Sequence, residues 1–80
     1  MKIAEAVAKR TKELLQEKNM SQYRLEKNMT IPHGTMIDIM SAKNNSVNLR
    51  TALQIAKGLG ITAGEFFTSP YFENEDLDID

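Results

Sequence analysis

The chain has 80 residues, 41% hydrophobic and 26% charged, a balance that fits one soluble globular domain and excludes disordered or fibrous polypeptides. It contains no cysteine and one histidine, so disulfides, thiolate metal sites and cysteine nucleophiles are excluded together, and the expected setting is a reducing cytoplasm. Net charge is −1, but Glu73, Glu75, Asp76, Asp78 and Asp80 are five of the eleven acids, so residues 1–72 set ten Lys and Arg against six acids, a net of +4 that permits a nucleic-acid partner without requiring one.

No stretch of the sequence approaches the roughly 18 to 20 consecutive apolar residues needed to span a bilayer, and the first thirty residues hold no apolar run of signal-peptide length. No membrane association is expected. A domain this small buries only about 60% of its unfolded surface, which makes a partner subunit useful to its stability.

The first element is an amphipathic helix over 3–18, in which Ile3, Ala4, Val7, Ala8, Thr11, Leu14 and Leu15 recur at intervals of three and four between charged residues. Asn19 can end it. Ser21 is a good N-cap for a short second helix over 22–28 with Leu25 facing inward. Met29-Thr30-Ile31-Pro32 then breaks the pattern, because proline lacks an N–H and drives the residue before it away from the α region. A third helix starts at Pro32 or His33 and runs to Met40, with Met36, Ile39 and Met40 on one face and His33, Gly34, Ile37, Asp38 and Ser41 on the other.

Residues 42–47 have no period and read as a loop. Asn48 caps a fourth helix whose apolar stripe is Leu49, Ala52, Leu53, Ile55, Ala56 and Leu59, and Gly60 stands where a left-handed C-terminal residue is wanted. Thr62 and Glu65 have capping-box spacing for a fifth helix carrying Phe66 and Phe67. The expectation is an all-α, compact five-helix domain over 1–69 and an acidic tail over 70–80. The tail allows three readings: a solvated end, a dimer-forming segment anchored by Phe72 and Leu77, or a DNA mimic over the basic face.

Two short helices separated by a few residues, the second with a small and polar outer face, can place a helix end in a major groove. The residues Met20-Ser21-Gln22, Leu25, Ile31, Met36 and Ile39, the run Asn48-Leu49-Arg50-Thr51-Ala52-Leu53-Gln54-Ile55-Ala56-Lys57-Gly58-Leu59-Gly60-Ile61-Thr62, and Glu65-Phe66-Phe67 give the chain, over about 6–68, a resemblance to the lambda-repressor-like, or Xre-type, helix-turn-helix family. The resemblance implies a double-stranded DNA partner, a homodimer on an inverted-repeat operator, and a transcriptional role, with repression the expected output.

The chain departs from the family pattern at three turn positions, where Thr30, Pro32 and Ala42 stand for the usual Gly, Ser and Gly. Leu15 and Met40 stand where many members pair an Arg with a Glu. Losing one member of a buried ion pair strands a charge at about 3–5 kcal/mol, whereas replacing both by packed hydrophobes can be neutral or stabilising, so Leu15 and Met40 are expected to meet.

Carried over residue by residue, the resemblance implies that Gln22 clamps a phosphate at the start of the second helix, where free N–H groups favour an anion. His33, Gly34 and Asp38 match the positions that reach base edges, with Ile37 beside them. His33 could donate to a guanine acceptor or to phosphate. Gly34 lets backbone approach the duplex, and Asp38 must accept from cytosine N4 or be a plain surface acid. Lys43, Asn44 and Asn45 follow the third helix where the family grips backbone, and Tyr23 and Arg24 are further backbone candidates. Met20, Met29, Met36 and Met40 read as core filling.

No catalytic arrangement is present in the sequence: one histidine, no cysteine, no glycine-rich phosphate loop, and scattered carboxylates. Neither an enzyme, a metal site nor a small-molecule cofactor is expected. The alternative to DNA reading is a helix-turn-helix scaffold turned to binding protein, as an antitoxin- or antirepressor-like partner, with Ile37 as apolar anchor and the tail residues Tyr71, Phe72 and Leu77 docking on the partner.

Overall fold

The computed structural model describes residues 1–43, 47–73 and 77–78. Six helices follow one another: α1 (Ile3–Glu17), α2 (Gln22–Met29), α3 (His33–Ser41), α4 (Leu49–Leu59), α5 (Ala63–Phe67) and α6 (Pro70–Glu73). The first five start and stop within a residue or so of the sequence expectation, because the caps that delimit them are local. Ser21 Oγ accepts from the Arg24 N–H at 3.0 Å, and Asn48 Oδ1 accepts from the Thr51 N–H at 2.9 Å. Thr62 and Glu65 form the reciprocal capping box, the Glu65 N–H donating to Thr62 Oγ1 at 3.1 Å and the Thr62 N–H to Glu65 Oε1 at 3.2 Å.

The helix ends share one device. Beyond α1, Asn19 takes a left-handed φ of 52°, and the N–H of Met20 reaches back to the Leu15 carbonyl at 2.9 Å. Beyond α3, Ala42 (φ 54°) and the Lys43 N–H bonded to the Asp38 carbonyl repeat it, as do Gly60 (φ 78°) and the Ile61 N–H bonded to the Ala56 carbonyl beyond α4. Thr30 closes α2 at φ 57°. Thr30 and Ala42 therefore keep the left-handed geometry that glycine ordinarily supplies, and their Cβ atoms carry the steric penalty of that region.

Val7, Leu14, Leu15, Leu25, Met36, Ile39, Met40, Ala52, Ile55, Ala56, Leu59 and Phe66 form the core, with Met20, Met29, Ile31, Val47, Ile61, Phe67 and Phe72 packed around it. The methionines fill apolar volume as expected, Met36 being fully buried. Helix α1 packs on α3, α4 and α6, and α4 packs on α2 and α5. Leu15 and Met40 are both buried in this core on the packed pair α1 and α3. Gly58 lets α4 approach α2 closely: a Cβ there would stand 2.8 Å from Met29 Cγ and 2.9 Å from Leu25 Cδ1, and the Asn28 amide donates to the Gly58 carbonyl at 2.9 Å.

Two expectations change. Leu49 and Leu53 are not core residues but lie 66% and 42% exposed. At 100° per residue they sit at the edge of the stripe that Ala52, Ile55, Ala56 and Leu59 centre, and no helix of the described residues covers that edge. The chain past Ser69 also begins with structure rather than tail. Ser69 is buried, its Oγ accepts from the Tyr71 N–H at 3.3 Å, and the one-turn α6 brings Phe72 against Phe66 and Phe67 with ring centroids 6.0 and 5.0 Å away. Farther on, the Asp78 N–H donates to the Met1 carbonyl at 2.7 Å, so Asp78 lies beside the start of α1.

Candidate nucleic-acid interface

Helices α2 and α3 and the turn between them are built by local rules. Thr30 ends α2 in the left-handed region, Ile31 drops half-buried onto the core, and Pro32, with φ −63° and ψ 148°, is the N-cap of α3. Proline suits that place, since its fixed φ is pre-set and the N–H it lacks would have no helical partner there. The Pro32 carbonyl accepts from the Thr35 and Met36 N–H groups, which leaves the N–H groups of His33 and Gly34 at the open end of the helix.

Met36, Ile39 and Met40 anchor α3 to the core, which turns the arc carrying His33, Gly34, Ile37, Asp38 and Ser41 outward. All four base-edge candidates lie on that arc, with Ile37 47% exposed and Asp38 half-buried. Beyond its chain neighbours and the backbone of its own helix, no heavy atom of the described residues lies within 4 Å of where a Cβ on Gly34 would stand. Packing within the domain therefore places no demand for glycine there.

On α2, Gln22, Glu26 and Met29 share the stripe that faces the core and the start of α3, while Tyr23, Arg24 and Lys27 are exposed. The Gln22 side chain is half-buried and has no hydrogen-bond partner among the described residues. Lys27 Nζ stands 5.2 Å from the centroid of the Tyr23 ring, a cation–π spacing. Tyr23, Glu26, Lys27, Thr30, Ile31, Pro32 and His33 line a shallow open depression where α2 meets the start of α3. Lys43 is exposed just past α3; Asn44 and Asn45 lie outside the described residues.

The structure thus gathers Tyr23 and His33 at the α2–α3 junction, leaves Gln22 at the start of α2 one turn before Glu26, and strings Gly34, Ile37 and Asp38 along the outer arc. Arg24 lies farther round α2, on a face turned away from that of Gln22. Two residues without a motif signal join the junction. One is Lys27, a cation in the depression. The other is Glu26, a buried carboxylate whose Oε1 lies 2.6 Å from His33 Nδ1. A helical wheel sets Glu26 on the stripe of Met29 but does not reveal its partner, which stands across a turn seven residues away.

This pairing reshapes the role expected for His33. One ring nitrogen is engaged by Glu26, while the side chain as a whole remains 70% exposed. The other nitrogen, Nε2, has no partner among the described residues.

Compared with known proteins, residues 10–70 match the model of the Cro/C1-type HTH DNA-binding domain. No curated protein and no solved structure matches the chain significantly. No helix among the described residues is long and apolar enough to cross a membrane. With the matched span covering the helix-turn-helix and the helices that brace it, the chain belongs to the Cro/C1-type helix-turn-helix DNA-binding domain family.

Proposed function

We propose that this DNA-binding domain is a sequence-specific transcriptional repressor that acts in the cytoplasm as a homodimer on an inverted-repeat operator, with half-sites about one helical turn apart. The observation that carries the reading is the outward arc of α3, anchored from behind by Met36, Ile39 and Met40. Gln22 and the exposed cations Arg24, Lys27 and Lys43 would hold phosphates, with Tyr23, Asn44 and Asn45 as further backbone contacts. His33, Gly34, Ile37 and Asp38 would meet base edges, Asp38 as an acceptor from cytosine N4.

The exposed pair Leu49 and Leu53, one turn apart on α4, is the apolar surface that supports dimerisation. In the dimer, three cations per subunit make about six phosphate contacts, so affinity should fall roughly 10³-fold between 50 and 200 mM salt. Selection from random duplexes tests the reading: an enriched inverted repeat bound with that salt dependence is expected, and equal binding to scrambled duplex at physiological salt would sink it.

A second reading, a protein-interaction module, is favoured by two exposed hydrophobics of the helix-turn-helix, Ile37 on α3 and Tyr23 on α2, at 47% and 63% exposure. It requires that duplex selection enrich nothing and that Ile37→Glu abolish binding to a protein partner.

A further inference from the structure

We propose that Glu26 is a specificity-determining positioning residue: by holding the neutral ring of His33 through Nδ1, it makes Nε2 a hydrogen-bond acceptor that reads the amino group of adenine or cytosine. The inference rests on the DNA reading proposed for α3 and asks which base edge its first residue can meet.

The Glu26 side chain is 8% exposed, and a carboxylate taken that far out of water must have a partner. Its partner is His33 Nδ1 at 2.6 Å, and it lies beside the start of α3, where the helix dipole favours negative charge. A carboxylate has only lone pairs to offer, so in this bond the nitrogen is the donor and the proton sits on Nδ1. In a neutral imidazole the second nitrogen is then bare. Nδ1 and Nε2 lie on different edges of the ring. With Nδ1 turned to a buried group and the side chain 70% exposed, Nε2 is the nitrogen presented outward. The Tyr23 and Thr30 hydroxyls also line the depression, but among the described residues neither is hydrogen-bonded to the ring.

A bare Nε2 accepts. In the major groove the donors available to it are the exocyclic amino groups of adenine and cytosine, while guanine N7 and O6 present lone pairs against its own. A histidine released from Glu26 takes the tautomer that isolated histidine prefers in water, with the proton on Nε2, and becomes a donor suited to guanine or phosphate. One buried carboxylate therefore inverts the hydrogen-bond sign of the reading side chain without touching DNA.

The single histidine makes the test direct. With 15N-labelled histidine at an alkaline pH where the ring is neutral, the free wild-type protein should show a protonated, pyrrole-type Nδ1 and a bare, pyridine-type Nε2. Glu26→Leu should reverse the pair; it replaces a buried carboxylate by an apolar side chain of similar volume, a change the fold can accept. Duplex selection at the same pH should enrich adenine or cytosine at one position of each half-site for the wild type. Glu26→Leu should shift that position toward guanine by roughly three- to tenfold, the worth of one hydrogen bond. His33→Ala should remove the preference in both backgrounds.

A protonated Nε2 in the wild-type protein would overturn the proposal without any DNA experiment and without depending on how a variant folds. A bare Nε2 with a base preference unmoved by Glu26→Leu would overturn it equally. Failure of the wild type to select any duplex would instead sink the DNA reading, and this inference with it, while the nitrogen assignment would still stand.

Discussion

Gly34→Ala should make the domain more stable and the DNA complex weaker. Gly34 is the second residue of α3, its φ is not in the left-handed region, and a Cβ built on it meets no heavy atom of the described residues within 4 Å beyond its chain neighbours and the backbone of its own helix. Alanine is therefore unstrained there. In a helix interior the exchange is worth about 0.8–1.0 kcal/mol, and in the first turn about half of that, near 0.5 kcal/mol. For a domain of this size the melting temperature should rise by about 2–4 °C. If α3 enters the groove with Gly34 toward the duplex, the added methyl crowds a close-packed contact at about 1–3 kcal/mol, a loss of roughly 5- to 150-fold in affinity. Thermal melting by circular dichroism and fluorescence anisotropy with the selected operator read the two effects separately. A higher melting temperature with unchanged affinity would show that the backbone at Gly34 does not approach DNA. A lower melting temperature would refute the open surroundings assigned to it.

Substitutions at three further positions test the scaffold. Thr30→Gly removes an exposed β-branched side chain from φ 57° and should stabilise by about 1 kcal/mol in urea titrations, since glycine alone adopts that region without penalty. Arg10 joins α1 to α5: its side chain, 11% exposed, donates to the Phe66 carbonyl at 2.8 Å and the Glu65 carbonyl at 2.7 Å and also pairs with Glu13. Arg10→Met should lose about 2–3 kcal/mol, and Arg10→Lys should recover only part of it because an ammonium cannot reproduce the planar fork. Phe72→Ala opens the triangle of rings with Phe66 and Phe67 and should destabilise by roughly 2 kcal/mol, where a solvated tail residue would leave stability unchanged.

Much of the outward arc of α3 was legible because it follows from which residues cannot be outside. Met36, Ile39 and Met40 recur at the helical period, so His33, Gly34, Ile37 and Asp38 must face away from them. The dependence of His33 on Glu26 was not legible, since a carboxylate on a short helix is solvated unless a second helix folds across it. Leu49 and Leu53 were misplaced into the core for the converse reason. They sit at the margin of a broad apolar stripe, and only the placement of α1, α2 and α5 around α4 decides where the covered arc stops.

Taken by itself, the sequence determined the elements and their limits: five helices delimited by Ser21, Pro32, Asn48, Gly60 and the Thr62–Glu65 box, each acting over three or four residues, where local hydrogen bonds and sterics suffice. Tertiary structure alone decided the rest. It recruited Phe72 to the core through α6, left Leu49 and Leu53 uncovered, kept Thr30 and Ala42 in a glycine-like turn geometry, and set Glu26 beneath His33. Each of these depends on what is packed against a residue from a distant part of the chain or across a turn, and burial of that kind, unlike a cap or a period, has no local signature.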